Sequence, residues 1–497
     1  MIASLADRIA RNPKAAFGWF LAFHVALWTL LPAVFYVNLP LDLIEAMVYG
    51  REWQLGHDKL PPLPWWTAEI INRVVGIDAA FYLLAQATVA AAFAFVWATA
   101  LPVVGPLGAL VAVAIVDGLH YFNFTAPKFN HDVVQLPFWA LAGFAFHRAL
   151  TRARLRDWLL LGIAFGGALW AKYFVVVLAL PFALFLLLDP QARRALLTPG
   201  PYLAAGVALL IAAPHLVWLV QNDFLPLGYA DARLGAYRGL RDHIVSPAIF
   251  AGGQIGWFLP ALFIALPLLY PRQHLRARAS GDFEWRIVTL LAFGPGLCTV
   301  LISLVTGRGL IAMWGYPLWL FAGLWIVMLS RASLREALAR IVAGWAIVAL
   351  CYAVAFPVQY GVRPLLAPKK IAPLYPGRAL AAELTRRYRE ATGRPLDYLV
   401  ADMWEGGNVV HYARENVRLL IDGQPARAPW IDMADVRRKG AVVIWETDFG
   451  NVPRPLRLLH LMDGAIYQPR FEVPYHRTRA FLSIGWAIIP PQPDEMK

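Results

Sequence analysis

The sequence predicts a mainly α-helical, polytopic membrane protein with a small α/β domain at its C-terminal end. Three observations carry that expectation. Of 497 residues, 59% are hydrophobic and only 15% are charged, against about 25% charged in an ordinary soluble domain. The apolar residues gather in runs of the length that crosses a bilayer, about 20 residues each, and the mean hydropathy is +0.53. After residue 357 the composition changes: charges become frequent and no run is long enough to span. The same figures exclude a disordered chain, a coiled coil and a disulfide-stapled miniature fold.

The first run, 15–38, follows Arg8, Arg11 and Lys14. It is too long for a signal-peptide core and no small-residue cleavage site follows, so it reads as an uncleaved anchor. Further runs lie at 79–101, 104–122, 132–149, 158–171, 173–189, 201–220, 245–270, 286–305, 311–329 and 338–357. That makes about eleven spans by length. Lys172 interrupts the stretch 158–189, which therefore reads as a hairpin of two short spans. With a cytoplasmic N-terminus, the cytoplasmic gaps hold Arg148, Arg152, Arg154 and Arg156, then Arg193 and Arg194, then Arg272, Arg276, Arg278 and Arg286, then Arg331, Arg335 and Arg340. The first opposite gap instead holds Asp42, Glu45, Glu52, Asp58, Glu69 and Asp78. The positive-inside rule then puts that gap and the C-terminal region on the periplasmic side of an inner membrane.

The organisation that follows is a membrane domain, 1–357, whose first outer loop is 38–78, and an α/β domain, 358–497. In the latter, 398–401, 417–421 and 441–445 read as short buried strands, with a helix-like segment at 405–415 between the first two. The net charge of +13 would suggest nucleic acid in a soluble protein. Here the bases cluster in gaps between apolar runs, so membrane lipids and not nucleic acid are the expected partners. Cys298 and Cys351 sit inside apolar runs without metal-ligand spacing and read as packing residues.

The chemistry is expected on the outer face. Asp42 and Glu45 are three apart and share one side of a helix. Ile44, Met47 and Val48 make an apolar stripe beside them, which suits a helix in the membrane interface with its acids facing a cavity. A plain amphipathic connector with solvated acids is the alternative. Trp65 and Trp66 suit an interfacial aromatic belt. Bases near the same face are Lys59, Lys128, Lys172, Arg233, Arg238, Arg241 and Arg308. A lysine at membrane depth costs about 2.5–3.5 kcal/mol on insertion scales, which argues for a task at Lys172, with snorkelling as the alternative. Carboxylates and cations at one membrane face suit an anionic lipid head group, above all a phosphate. Asn130, His131 and Asp132 open the fourth run. Asp132 is either a helix cap or a second acid or metal ligand in the cavity. His215 is either a core histidine or a site residue. HExxH, P-loop and GxSxG motifs are absent from the sequence.

Several segments then resemble a known group. They are Leu39 to Asp42, Gly50 to Gly56 and Lys59 to Leu63, then Phe129 to Asp132, Trp170 to Tyr173, Pro214 to Trp218 and Met313 to Pro317. Together they resemble bacterial family-39-type glycosyltransferases, which are similar to the protein O-mannosyltransferases and the lipid A aminoarabinose transferase of the GT-C class. The resemblance covers about 15–330. It implies an integral membrane enzyme that moves a sugar from a polyprenyl-phosphate donor to a glycan, lipid or protein acceptor outside the cytoplasm, with inversion at the anomeric carbon. It places the general base on Asp42. The family's following Glu is replaced by Leu43, and the next acid is Glu45. It places phosphate and donor contacts on Lys59, Lys172 and, more distantly, Arg308, with Tyr173 beside Lys172, and lines the cavity with Asn130, His131, Asp132 and His215; Arg233, from its position near the outer face, is a further candidate for the phosphate. No metal ligand set is implied, and a divalent cation remains open. A transporter or flippase of a lipid-linked sugar is the rival function. A non-catalytic envelope scaffold is a second.

Overall fold

The structure, a computed structural model, describes residues 2–235, 237–270, 282–367, 370–447 and 456–492. Arg272, Arg276 and Arg278 lie outside the described residues. The chain folds as two compact units. The first comprises Met1–Leu30, Asp58–Pro64 and Ala79–Val354; the second comprises Leu31–His57, Trp65–Asp78 and Ala355–Lys497.

The first unit is helical. Each apolar run of the sequence falls on a helix: Pro13–Phe35, Asp78–Asp117, His131–Arg152, Leu155–Ala171, Val176–Leu188, Gly200–Gln221, Asp242–Leu269, Phe283–Thr306, the bent pair Ala312–Trp319 and Ala322–Leu329, and Leu334–Pro357. The stretch Asp78–Asp117 contains two of the expected runs. They meet at Gly105, whose φ of 72° leaves helical geometry. Among the described residues, six helices are long and apolar enough to cross a membrane, or seven if the bent pair is one span. The protein is therefore a multi-pass membrane protein by helix length and composition. The other helical runs are shorter or carry more charge, as in His131–Arg152 with Asp132, Arg148 and Arg152.

Small residues let these helices approach closely, as expected where lipid removes the hydrophobic drive between them. A Cβ at Gly323 would lie 2.1 Å from the Ala112 carbonyl oxygen. Among the apolar walls sits a polar pin. His24 Nδ1 lies 2.8 Å from Asp117 Oδ1, and Trp345 Nε1 donates to Asp117 Oδ2 at 2.7 Å. Buried charge of this kind persists only when paired. Cys298 is buried while Cys351 is exposed, so only the first is a packing residue.

The second unit holds the sheet. Its strands are β1 Tyr398–Ala401, β2 Arg418–Ile421, β3 Ala441–Glu446, β4 Ile466–Pro474 and β5 Phe481–Ile489, in the order β2-β1-β3-β5-β4. β1 pairs in parallel with β2 and β3, while β5 is antiparallel to β3 and β4. The crossover from β1 to β2 is the helix Met403–Tyr412, capped by Asp402, whose side chain accepts from the backbone N–H of Trp404 and Glu405. A parallel pair requires such a crossover. The β4–β5 hairpin was not expected. Pro469 argues against a strand there, yet β4 is an edge strand and the proline falls in the register shift between Gln468 and Phe471. A helix at Gly377–Thr392, burying Leu380, Ala381, Leu384 and Tyr388, was likewise not expected.

Candidate active site

The acids Asp42 and Glu45 belong to the second unit. They ride on the helix Leu41–Gly50, which follows Pro40. Proline fixes the entry into the helix, and the Pro40 carbonyl accepts from Leu43 and Ile44 N–H, both at 3.0 Å. Leu43, Ile44, Ala46, Met47, Val48 and Tyr49 are buried, while Asp42 and Glu45 are half-buried on the other side. The two acids thus share one side, as their spacing requires. The apolar stripe does not lie in a membrane interface. It is covered by protein: a Cβ on Gly407 would stand 2.6 Å from Ile44 Cγ2 and 3.2 Å from Val48 Cγ2. Trp65 is also interior, 2% exposed, with its ring 4.4 Å from that of Tyr49 and 4.9 Å from that of His57. It is a core residue and not part of an aromatic belt.

The other site residues belong to the first unit. Asn130 is the cap of the helix His131–Arg152: its side chain accepts from Asp132 N at 3.1 Å and Val133 N at 3.2 Å. Asp132 is therefore not the cap. Its carboxylate instead holds Lys172 Nζ at 2.5 Å and accepts from Gln135 Nε2 at 3.1 Å. Lys172 stands where the helix Leu155–Ala171 ends. Its own backbone is extended, φ −166° and ψ 139°, which turns the chain before Val176–Leu188. Its ammonium is buried and also faces the rings of Trp314, at 5.5 Å, and Phe174, at 5.7 Å. A buried lysine held by carboxylate and ring faces does not snorkel. Next to it, the Tyr173 hydroxyl and His215 Nε2 are 2.9 Å apart. His215 is fully buried between Trp170 and Trp218. His131 Nε2 meets the Pro61 carbonyl at 3.0 Å, which ties the Lys59 segment to the opening of this helix.

A short helix, Pro226–Arg233, makes contact with Lys59 and Arg308 and carries Arg233. Lys59 and Arg233 both face the ring of Tyr229, at 5.6 and 6.0 Å from its centroid. Arg308 pairs with Asp231 on the same helix, and Gly235 bridges to Gly309 just after it. Lys59 and Arg233 thus come together on Tyr229, with Arg308 held to the same short helix through Asp231; Asp132 meets Lys172, and Tyr173 meets His215. Tyr229 and Asp231 were missed in the sequence. The signal for Tyr229 was its place four residues before Arg233, visible only once that segment is known to be helical.

The first unit carries several apolar grooves, two of them of about 520 and 640 Å³. One, of about 520 Å³, runs between Val176–Leu188 and Phe283–Thr306, lined by Leu184, Leu188, Leu290, Leu297 and Leu301, and reaches Thr306. That end is two residues from Arg308. The other, of about 640 Å³, lies along the N-terminal helix and is lined by Arg8, Trp19, Phe20 and Trp345. Among the described residues, no group of three or more His, Cys, Asp or Glu is placed to hold a metal ion.

Residues 59–218 match the dolichyl-phosphate-mannose-protein mannosyltransferase family. The match includes Lys59, Asn130, His131, Asp132, Lys172, Tyr173 and His215, and begins after Asp42 and Glu45. The lipopolysaccharide core galacturonosyltransferase RgtA of Rhizobium johnstonii is 25% identical over 465 residues, 88% of each chain. The lipid A galacturonosyltransferase RgtD of the same organism is 27% identical over 50% of this chain and 52% of its own. The apo oligosaccharyltransferase of Archaeoglobus fulgidus superposes with a TM-score of 0.46 at 12% identity, over 87% of this chain and 70% of that one. That score is too low to establish a shared fold. The sequence resemblance is borne out by the family match and the relatives, which support a membrane glycosyltransferase of the GT-C type.

Proposed function

We propose that the protein transfers a uronic acid residue from a polyprenyl-phosphate donor to a lipopolysaccharide acceptor at the periplasmic face of the inner membrane. The observation that carries this reading is the convergence of Lys59 and Arg233 on the Tyr229 ring, with Arg308 paired to Asp231 of the same short helix. Such a cluster suits a phosphate, and guanidinium groups in particular bind phosphate oxygens in pairs. The apolar groove ending near Arg308 suits the isoprenoid tail of the same donor. The names of the Rhizobium relatives supply the sugar and the acceptor class.

In this reading Asp42 takes the proton from the acceptor hydroxyl. The hydroxyl oxygen attacks the anomeric carbon, the bond from that carbon to the phosphate oxygen breaks, and the configuration inverts. The electron pair leaves on the lipid phosphate, whose growing charge Lys59, Arg233 and Arg308 stabilise. Glu45, on the same side as Asp42, is a second carboxylate facing the acceptor. Lys172, held by Asp132, adds positive potential beside Tyr173 and His215. We read the apolar runs as about eleven crossings, with the N-terminus in the cytoplasm and the sheet domain in the periplasm, from the basic gaps and the positive-inside rule.

The test is transfer by purified protein in nanodiscs, supplied with polyprenyl-phosphate-linked galacturonic acid and lipopolysaccharide and read by mass spectrometry. The expected result is lipopolysaccharide heavier by one hexuronosyl residue, with polyprenyl phosphate released. Movement of the intact donor across the bilayer without transfer would establish the transporter instead.

A further inference from the structure

The segment bearing Asp42 is fastened along its length by the C-terminal domain. Ahead of the helix, Arg477 donates to the carbonyls of Val34 and Phe35 at 3.3 and 3.2 Å. Val37 and Asn38 N–H both donate to the Pro373 carbonyl, at 3.0 and 3.2 Å. Leu39 N–H donates to the Tyr412 hydroxyl at 3.2 Å. After the helix, Arg51 donates to the Val417 carbonyl at 3.3 Å and to Asn416 Oδ1 at 2.6 Å, and Arg418 pairs with Glu52. Between these ends Ile44 and Val48 rest on Gly407. Segment 34–52 is thus held at both ends and in the middle by one domain.

We infer that the C-terminal α/β domain is a positioning part of the catalytic machinery: its 403–412 helix, through Gly407 and Tyr412, sets where the Asp42 carboxylate stands. The inference rests on Asp42 being the base. Gly407 is suited to this task because it lets the two helices touch. Real Cβ atoms essentially never come within 3.0 Å of another heavy atom, and here one would come within 2.6 Å of Ile44 Cγ2. An alanine must therefore push the 41–50 helix away or displace Ile44. Asp42 is two residues from Ile44 and three from Leu39, so it moves with either. A displacement of about 1 Å in a reacting group lowers turnover on the order of 100-fold. Gly407 and Tyr412 act through Asp42 and are positioning residues. They touch no reacting atom.

The experiment measures kcat and donor KM for the full-length protein in nanodiscs. Gly407→Ala is expected to lower kcat by about 10–100-fold with donor KM unchanged. Tyr412→Phe, which removes only the hydroxyl, is expected to lower it by about 3–10-fold. Adding Ile44→Ala to Gly407→Ala removes the clash and restores kcat to the level of Ile44→Ala alone. In an Asp42→Asn background, Gly407→Ala causes no further loss, because residues acting as one unit are not additive. A residue that only supports folding would give losses that multiply.

The inference is overturned if Gly407→Ala and Tyr412→Phe run at wild-type kcat while Asp42→Asn is inactive, or if the losses multiply. Where Gly407→Ala does not purify as folded protein, Tyr412→Phe with and without Asp42→Asn carries the same test. Full activity of Asp42→Asn is a separate outcome: it overturns the base assignment, and the positioning inference falls with it.

Discussion

Replacing Lys172 with methionine tests the best-defined electrostatic feature of the membrane unit. Lys172 and Asp132 are 8% and 10% exposed, 2.5 Å apart. Methionine keeps the length and the contact with the Phe174 and Trp314 rings but removes the charge. The Asp132 carboxylate then loses its counter-ion in a buried setting. Breaking a buried pair from one side costs about 3–5 kcal/mol, because an uncompensated charge remains. Replacing both partners removes that charge, so Asp132→Asn with Lys172→Met is expected to return to within about 1–2 kcal/mol of wild type. Asparagine also keeps an oxygen to accept from Gln135. The assay is reversible unfolding in detergent micelles, comparing the single and double variants. A single Lys172→Met variant as stable as wild type would refute the reasoning, as would a double variant less stable than the single one.

Three further outcomes are expected. Lys59→Ala and Arg233→Ala should each raise donor KM about 10–100-fold, the worth of a charge-assisted hydrogen bond of about 1.5–3 kcal/mol, and kinetics with a water-soluble short-chain donor checks this. Asn130→Ala should lower stability by about 1 kcal/mol through the lost cap, read as a shift in the unfolding midpoint. Burial, with Asp402 close by, pushes the Glu405 carboxyl well above the ordinary carboxylate range. A raised folded-state value means that this group's contribution to stability is full below the unfolded value of 4.5 and is lost as pH rises through the folded value. Melting curves should show the Glu405→Gln advantage over wild type growing as pH rises from 4.5 upward, and a constant difference would contradict the assignment.

The helices of the membrane unit were legible because apolar length is a local property of the chain, although six or seven described helices, not eleven, are long and apolar enough to cross on their own. Every run lies on a helix, and even the break at Lys172 was visible as a charge inside an apolar stretch. The strands β1, β2 and β3 were legible as short apolar runs. The β4–β5 hairpin was not, because Pro469 disguises an edge strand and its pairing with β5 is non-local. At the site, the residue types were legible and their partners were not. Asp132 read as a cap or a second acid, and the side chain of Asn130 takes the cap. Lys172 read as a phosphate ligand, and its ion pair with Asp132 connects residues 40 positions apart. The stripe of Ile44 and Val48 read as membrane-facing because its true cover, Gly407, lies more than three hundred residues later.

The most direct measurement of the central claim is the turnover of Asp42→Asn beside wild type, on lipid-linked donor and lipopolysaccharide, with the fold of both verified by their unfolding midpoints. The account predicts a rate lower by about 10²–10⁴-fold, the typical contribution of a positioned general base, at an unchanged midpoint. Transfer by Asp42→Asn at the wild-type rate would contradict it.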